Sequence, residues 1–268
     1  MSKPTPTRAT TFHEQVVDQL GRDICAGRYP PGALLPSEPE LGERFGFSRI
    51  VIREAIKSLM AKGMLEVSRR VGTLVRDTVH WNLFDPAVIA WRAASADFDT
   101  SMARDLMELR RIVEPAAAGL AAGRASPAER RALRAAYMAM ARAVAGKGDY
   151  VEADLAFHTA ILAACGNQYL RQMQEAMAAM LEASFAIVVK KPGGPALSLP
   201  LHEAVCAAIE RGDPAGAQAA TVVLVTSAEE DLREQLAERR AAGARVPMAV
   251  RGATVHRRPA PRLAKVAP

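Results

Sequence analysis

Residues 34–76 constrain the fold of this chain more than any other segment. Their sequence, LLPSEPELGERFGFSRIVIREAIKSLMAKGMLEVSRRVGTLVR, predicts two short helices joined by a tight turn and followed by a basic β-hairpin. Such an arrangement is typical of a winged helix-turn-helix, whose second helix enters the major groove of DNA. The segment therefore predicts double-stranded DNA as a partner.

Capping signals delimit both helices. Ser37 precedes Glu40 by three residues, a capping-box spacing, and Gly46 suits the end of the helix that begins there. Ser48 supplies the N-cap of the second helix, and Gly63 suits its end. Apolar residues at three- and four-residue spacing mark the buried face of that helix: Ile52, Ala55, Ile56, Leu59 and Met60.

The opposite face of the second helix predicts DNA contacts. We expect Arg49 and Arg53 to point outward, where they can contact base edges or neighbouring phosphates. The Ser48 hydroxyl is expected to bond a phosphate at the helix N-terminus, which favours anions. The alternative is that the two arginines only solvate the exposed face of a surface helix.

Two β-prone runs, 64–68 and 73–76, predict the wing. Their connection contains Arg69, Arg70 and Gly72, so the tip of the hairpin holds two guanidinium groups. Guanidinium groups in such a turn suit phosphates or the minor groove. These three residues therefore join the expected DNA-binding set.

Three motifs in order, PPGALLPSEPEL, FSRIVIREAIKSLMAKGMLEV and RRVGT, resemble the N-terminal domain of GntR-type bacterial transcription regulators. The resemblance covers about residues 11–78. A preceding amphipathic helix, marked by Phe12, Val16, Leu20 and Ile24, completes the module. The resemblance implies a homodimer that places two recognition helices on a short palindromic operator.

Length and composition bound the rest of the chain. The 268 residues suffice for two domains, and an apolar half with only 5% aromatic residues favours helical packing. The N-terminus lacks the apolar core of a signal peptide, and no run reaches the roughly 20 apolar residues of a membrane span. We therefore expect a cytoplasmic protein without a membrane partner.

The expected organisation has five parts: a disordered tail at 1–10, a winged helix-turn-helix at 11–78, a packed linker at 79–99, a helical effector-binding and dimerisation domain at 100–240, and a disordered basic tail at 241–268. Trp81 and Trp91 of the linker are expected to be wedged between the two domains. The last tail contains six basic residues and no acidic one, which equals the whole formal charge of +6. The high isoelectric point is therefore weak evidence for DNA binding.

The fold class we expect is mainly α, with the wing as the β structure. Capping and stop signals divide the second domain into about six helices, which makes it an all-α bundle. They are expected at 101–124, 127–146, 149–165, 168–190, 197–211 and 214–239.

Metal-ligating residue types occur within this bundle. Asp154 and His158 stand four residues apart on one predicted helix, so a carboxylate and an imidazole project from the same face. His202, on a later helix, is a third candidate ligand. One oxygen and two imidazoles suit zinc, nickel, manganese or iron better than calcium. The same spacing also fits a hydrogen-bonded pair without a metal.

The motifs ELRRIVEPAAAGLAA, DLAFHTAILAACGN and LHEAVCAAIERGDPAGAQAA resemble the helical FCD ligand-binding domain of the FadR subgroup of that family. Many members of the subgroup hold a divalent metal through one Asp and three His. Asp154, His158 and His202 match three of those positions, and Leu224 stands at the fourth. The resemblance implies either a metal with three protein ligands or a metal-free site that binds the effector directly.

The same resemblance selects Arg110, four residues before Glu114, to bind an effector carboxylate by paired hydrogen bonds. A salt bridge to Glu114 is the alternative. Asn167 either lines the effector site or caps the next helix. The linker motif WNLFDPAVIAW together with the first helix of this domain resembles galactonate-responsive regulators, which implies a sugar acid or similar small carboxylate as effector.

We therefore expect a transcriptional repressor, not an enzyme, whose operator affinity a small carboxylate controls. Two alternatives stay open. One is a metal-dependent hydrolase that uses Asp154, His158 and His202, with Glu203 as the nearest candidate base in sequence. Adjacent residues of a helix point about 100° apart, so Glu203 is not expected to share the direction of His202. The other is an architectural DNA-binding dimer without a ligand.

Overall fold

The computed structural model describes residues 11–95, 100–188 and 193–243. Within them the chain forms a winged helix-turn-helix, a short linker helix and a helical bundle. The helices are α1 (Phe12–Cys25), α2 (Glu38–Phe45), α3 (Arg49–Ala61), α4 (Pro86–Ala94), α5 (Thr100–Arg124), α6 (Pro127–Val144), α7 (Tyr150–Ala164), α8 (Gln168–Gln172), α9 (Gln174–Val188), α10 (Gly194–Arg211) and α11 (Pro214–Gly243). The strands are β1 (Leu65–Ser68) and β2 (Gly72–Val75). The mainly α fold class is confirmed.

Both predicted caps of the helix-turn-helix are present. At the start of α2, the Ser37 backbone N–H donates to Glu40 Oε2 at 2.8 Å. At the start of α3, Ser48 Oγ accepts from the Val51 N–H at 3.5 Å. Gly46 ends α2 with a φ of 74°, in the left-handed region that favours glycine. The apolar faces of α1, α2 and α3 share one core, which includes Leu20, Leu41, Ile52 and Leu59.

β1 and β2 form the predicted wing as an antiparallel pair, with Ser68 opposite Gly72. The loop before α2 joins the outer edge of β2, where the Leu35 N–H donates to the Thr73 carbonyl at 2.8 Å. Arg70, at the tip, has a φ of 66°, the left-handed conformation that L-residues seldom adopt. The wing is therefore held to the helix-turn-helix at its base, and its basic tip is exposed.

α4 belongs to the cores of both domains. Val88 and Trp91 pack into the core of α1 to α3, whereas Ile89 packs into the core of the bundle. The Trp91 ring lies directly on α1, where a Cβ atom at Gly21 would be only 2.4 Å from it. Trp81 also belongs to the N-terminal core. Both tryptophans thus fill the first domain, and Ile89 rather than a tryptophan faces the second.

α7 lies at the centre of the bundle, against α5, α6 and α9. It is apolar around most of its circumference, and Phe157 and Ile161 are buried in the main core. α5 presents small buried residues such as Ala117 and Ala118, so neighbouring helices approach it closely. This packing brings the polar side chains of α7 next to those of α5 and α10.

The bundle has seven helices, α5 to α11, in the part of the chain described. The helix expected over 168–190 is broken at Met173, although neither glycine nor proline marks the break. α10 begins at Gly194, inside the segment expected to be a loop, and α11 continues to Gly243. Residues 241–243, expected to belong to a disordered tail, are therefore helical. The rest of that tail, the whole tail expected at 1–10 and linker residues 96–99 lie outside the described ranges.

Over the described ranges, no helix combines the length and the apolar character needed to cross a membrane.

Candidate nucleic-acid interface and candidate metal centre

The outward face of α3 brings the expected DNA-binding residues together. Arg49 and Arg53 are exposed and lie one turn apart, and Ser48 is exposed at the N-cap. The unpaired backbone N–H groups of the first turn make this helix end attractive to a phosphate. The positions of these three residues agree with the sequence-based expectation, and the DNA contacts themselves stay a prediction.

Arg53 has a partner within the protein that local pattern did not indicate. Its Nε donates to Glu38 Oε1 at 3.0 Å, and its Nη2 donates to Glu38 Oε2 at 2.8 Å. The hydrogen bond from Arg53 lowers the pKa of Glu38, so this carboxylate is ionised at neutral pH. The pair connects α3 to the first turn of α2.

The wing presents Arg69 and Arg70 at its exposed tip. Gly72 begins β2 with a φ of 128°, and a Cβ atom there would lie 2.9 Å from Leu34 Cδ1. The glycine therefore lets the loop before α2 lie against the wing. Its expected contact with DNA stays a prediction.

Asp154, His158 and His202 meet in a buried cluster, and their candidate ligand atoms all lie within 4.8 Å of one another. His202 Nε2 is 3.0 Å from Asp154 Oδ1, and His158 Nε2 is 3.5 Å from Asp154 Oδ2. The four-residue spacing on α7 places the first two side chains on one face, and α10 brings the third to it. The three candidate ligands selected from the sequence are therefore adjacent in space.

Hydrogen bonding determines which nitrogen of His202 faces Asp154. Nδ1 donates to the backbone carbonyl of Ser198 at 2.9 Å, so Nε2 of the neutral ring carries a lone pair. Nε2 is buried and has no hydrogen-bond partner among the described residues, and the same holds for Asp154 Oδ2. Buried acceptors that face one another without donors fit a cation held between them.

Glu114 lies beside Nδ1 of His158, as the Ser198 carbonyl lies beside Nδ1 of His202. Its Oε2 lies 3.0 Å from His158 Nδ1, and its Oε1 accepts a hydrogen bond of 2.7 Å from Arg110 Nε. A carboxylate next to the far nitrogen of a histidine is a common support for metal-ligating imidazoles. The salt bridge that the sequence left as an alternative for Arg110 is therefore present, and the contact with His158 is an addition to it.

Interactions with neighbouring charges affect the pKa values of the buried groups in this cluster more than burial does. Burial would raise the pKa of Glu114, but Arg110 and His158 lower it to about 2. Burial also opposes ionisation of Asp154, whose pKa His158 and His202 nevertheless lower. Burial disfavours a charged His158, yet Glu114 and Asp154 raise its pKa. A metal ion binds neutral imidazoles, so the two carboxylates and one guanidinium of a metal-loaded cluster would sum to one negative charge before the ion is counted.

A cavity of about 90 Å³ adjoins the cluster, several times the roughly 10–15 Å³ that one water needs. Arg110 and all three candidate metal ligands contribute to its wall. Leu224, only 4% exposed, lies in the same wall and offers no ligand atom. Hydroxyl groups also line it, from Tyr150, Ser184, Ser198 and Ser227.

Two residues that the sequence offered as candidates for the site, Asn167 and Glu203, have side-chain partners outside the cluster of candidate metal ligands. Asn167 caps α8, where its Oδ1 accepts from the Tyr169 N–H at 2.9 Å, and it is not among the residues that line the cavity. Glu203 forms an ion pair of 2.7 Å with Arg134 of α6. This geometry agrees with the capping alternative for Asn167. It also agrees with the expectation that Glu203 does not share the direction of His202, a candidate metal ligand.

Two family signatures match the chain. Residues 12–75 match the bacterial regulatory proteins of the gntR family, and residues 105–227 match the FCD domain. The first match covers the helix-turn-helix and wing, and the second covers the helices that build the cavity.

Several known proteins are similar over most of their length. The galactonate operon transcriptional repressor of Escherichia coli (strain K12) is 32% identical over 222 residues, which are 82% of this chain and 96% of that protein. The HTH-type transcriptional regulator Mce2R of Mycobacterium tuberculosis (strain CDC 1551 / Oshkosh) is 31% identical over 231 residues, 85% of this chain and 94% of that protein. The solved structure of Lar, which controls the expression of the Listeria monocytogenes agr system, has a TM-score of 0.61 at 18% identity and covers 85% of this chain and 99% of that one. At that identity the likeness concerns the fold alone.

Proposed function

The chain belongs to the gntR family of bacterial transcription regulators and carries an FCD domain, and on that basis we propose that it is a homodimeric repressor controlled by a metal-bound sugar acid. The observation that carries this proposal is the buried cluster of Asp154, His158 and His202 in the wall of a cavity. Regulation of transcription follows from the family; the repressor role, the metal, the effector class and the dimer are the proposal.

The donor set fits a divalent metal ion. One carboxylate and two imidazoles, with lone pairs directed at a common point, suit zinc, nickel, manganese or iron. Leu224 contributes no donor, so a bound ion would have three protein ligands and open positions that face the cavity. When bound, the ion supplies a Lewis acid that anchors a carboxylate and a neighbouring hydroxyl.

The charge of the cluster favours an anionic effector only together with a metal. Glu114 pairs with Arg110, and Asp154 lies beside His158, whose pKa these two carboxylates raise, so the cluster by itself has no unpaired positive charge for a carboxylate. A divalent cation would make the net charge positive. The hydroxyls of Tyr150 and Ser198 in the wall suit a polyhydroxylated chain. The similarity to a galactonate operon repressor supports the same class of effector.

A continuous path of packed helices links the cavity to the DNA-binding domain. Leu181 and Ser184 of α9 line the cavity, and α9 packs against α4. α4 in turn contacts α1, through Trp91 on Gly21. An effector that shifts α9 would thereby move one domain relative to the other. It changes operator affinity only if it binds the two arrangements unequally.

On DNA, we propose that α3 enters the major groove and that the wing contacts the backbone or the minor groove. Arg49 and Arg53 would contact base edges or phosphates, and Ser48 would bond a phosphate. Arg69, Arg70 and Gly72 of the wing would lie against the backbone. Two copies related by a twofold axis would recognise a palindrome.

The geometry supports a regulator over a hydrolase. A metal-dependent hydrolase needs a general base beside the metal. Glu203, the candidate in sequence, pairs with Arg134 instead, and Glu114 is engaged by Arg110. An architectural DNA-binding protein without a ligand is disfavoured by the cavity that the cluster adjoins.

A melting-temperature screen tests the effector site. Galactonate and related hydroxy acids would be added to the full chain with and without EDTA, after its metal content has been measured. We expect stabilisation by hydroxy acids in the presence of metal, its loss with EDTA, and its loss in His202→Ala. His80→Ala, at an exposed position outside the cavity, is the matched control and should respond as the natural chain does. No metal and no stabilisation by any acid would contradict the proposal.

A further inference from the structure

Arg53, on the exposed face of α3, donates to Glu38 from two nitrogens: Nε lies 3.0 Å from Oε1 and 3.3 Å from Oε2, and Nη2 lies 2.8 Å from Oε2. The Arg53 side chain is 59% exposed and that of Glu38 is 30% exposed. An exposed ion pair of this kind contributes little to stability. Its main consequence is therefore geometric, because it fixes the direction of a guanidinium on the DNA-facing surface.

The pair leaves one end of the guanidinium available. A guanidinium carries five N–H donors in a rigid planar fork. Glu38 engages the edge formed by Nε and Nη2, so the end of the fork, formed by Nη1 and the outer N–H of Nη2, is directed away from the carboxylate. Two such N–H groups match the O6 and N7 acceptors of guanine in the major groove.

The carboxylate also selects between kinds of DNA contact. A phosphate that approaches Arg53 meets the negative charge of Glu38, which offsets the attraction of the guanidinium. The acceptors on a base edge carry no net charge and are not repelled to the same degree. The pair therefore favours a base contact over a backbone contact for Arg53.

We propose that Glu38 is a positioning residue that directs Arg53 toward a guanine and thereby sets part of the operator specificity. The inference rests on the proposed function, because it requires that α3 binds DNA. It assigns Glu38 a role in recognition although its own charge opposes DNA binding.

The test compares three variants of the full chain. Duplexes selected by the natural protein from a random pool supply the operator, and each guanine in a half-site is then replaced in turn. Glu38→Gln removes the charge, and Glu38→Asp keeps the charge but shortens its reach. Glu54→Gln is the control, because Glu54 is an exposed carboxylate on α3, the helix of Arg53, and pairs with Lys57 at 2.9 Å instead.

For Glu38→Gln and Glu38→Asp we expect the preference for one guanine per half-site to fall by on the order of 10-fold, with affinity for unrelated DNA unchanged or raised. Glu54→Gln should raise affinity for all duplexes alike and leave the preference intact. If both Glu38 variants keep the preference for that guanine, or if Glu38→Asp and Glu54→Gln change the preference equally, the inference about Glu38 is overturned. The proposed function would stand in either case. Failure of the natural chain to enrich any duplex would instead contradict the proposed function.

Discussion

The indole Nε1 of Trp91 donates a hydrogen bond of 2.7 Å to Asp18 Oδ1, which joins the linker helix α4 to α1 of the DNA-binding domain. The same ring lies on Gly21, so α1 and α4 are in contact along that turn. On its other side α4 packs against α9, which lines the cavity. Under the proposed effector control, Trp91 is therefore a point through which a change at the cavity would reach the helix-turn-helix.

Replacing Trp91 with phenylalanine should weaken this connection. Trp91→Phe removes the indole N–H and part of the contact with α1, but touches neither the cavity nor the exposed face of α3. We expect effector binding to persist and the effect of the effector on operator affinity to shrink by about 2- to 30-fold. Titration calorimetry with the effector and fluorescence anisotropy with operator DNA measure the two quantities. Trp81→Phe is the control, because Trp81 Nε1 bonds the Arg76 carbonyl within the first domain. Equal coupling in both variants would argue against a relay through Trp91.

The same contact should depend on pH in the acid range. Burial would raise the pKa of Asp18, but hydrogen bonds from Arg22 and Trp91 outweigh it and lower the pKa below its ordinary value of 3.8. A carboxylate whose pKa is lowered by folding contributes stability above its unfolded pKa and loses it as the pH falls through the folded value. We expect the fluorescence of Trp91, followed in a Trp81→Phe background, to change below about pH 4. Asp18→Asn should remove this transition, and its persistence in that variant would assign it to other groups.

Restoring an imidazole at position 224 should strengthen metal binding. Leu224 faces the cavity beside the three candidate ligands, so Leu224→His can supply a fourth. We expect the affinity for zinc or nickel to rise by about tenfold or more, which corresponds to about 1.4 kcal/mol. Competition with a chromophoric chelator measures it. Leu224→Ile, equal in volume and without any donor atom, should leave the affinity unchanged, and no gain in the histidine variant would contradict the assigned site.

The tip of the wing offers a test that separates folding from DNA binding. Arg70 has a φ of 66°, so Arg70→Gly relieves a strained backbone while it makes the unfolded chain more flexible. These effects oppose one another, and the melting temperature should change by only a few degrees. Loss of the guanidinium should weaken operator binding and reduce its salt slope by about 1. An unchanged salt slope would remove Arg70 from the DNA-binding set. Arg69→Gly, at a position without a positive φ, should lower stability more.

Local features were predictable from the sequence because local forces determine them. Ser37, Ser48 and Gly46 cap their helices as expected, since capping needs only residues a few positions apart. Asp154 and His158 share a face because four residues make about one helical turn. His202 was a candidate from its residue type, but only the resemblance to a family implied that it joins the other two, since spacing along the chain does not report which helices pack together.

Features that depend on packing could not be predicted in the same way. The contact of Glu114 with His158 joins α5 to α7, and the pair of Glu38 with Arg53, which are 15 residues apart in sequence, joins α2 to α3. Trp91 packs into the first domain because Gly21 leaves room on α1, a complementarity that neither residue reveals alone. The break at Met173 has no signal in the local sequence.

The most direct test of effector control is a linkage measurement with the operator, the metal and one sugar acid. Operator affinity would be measured with and without the acid, and affinity for the acid would be measured with and without operator DNA. We predict that the acid weakens operator binding by roughly 5- to 150-fold, that the operator weakens acid binding by the same factor, and that EDTA abolishes both effects. Equal affinity of the acid for the free and the operator-bound protein would contradict the account.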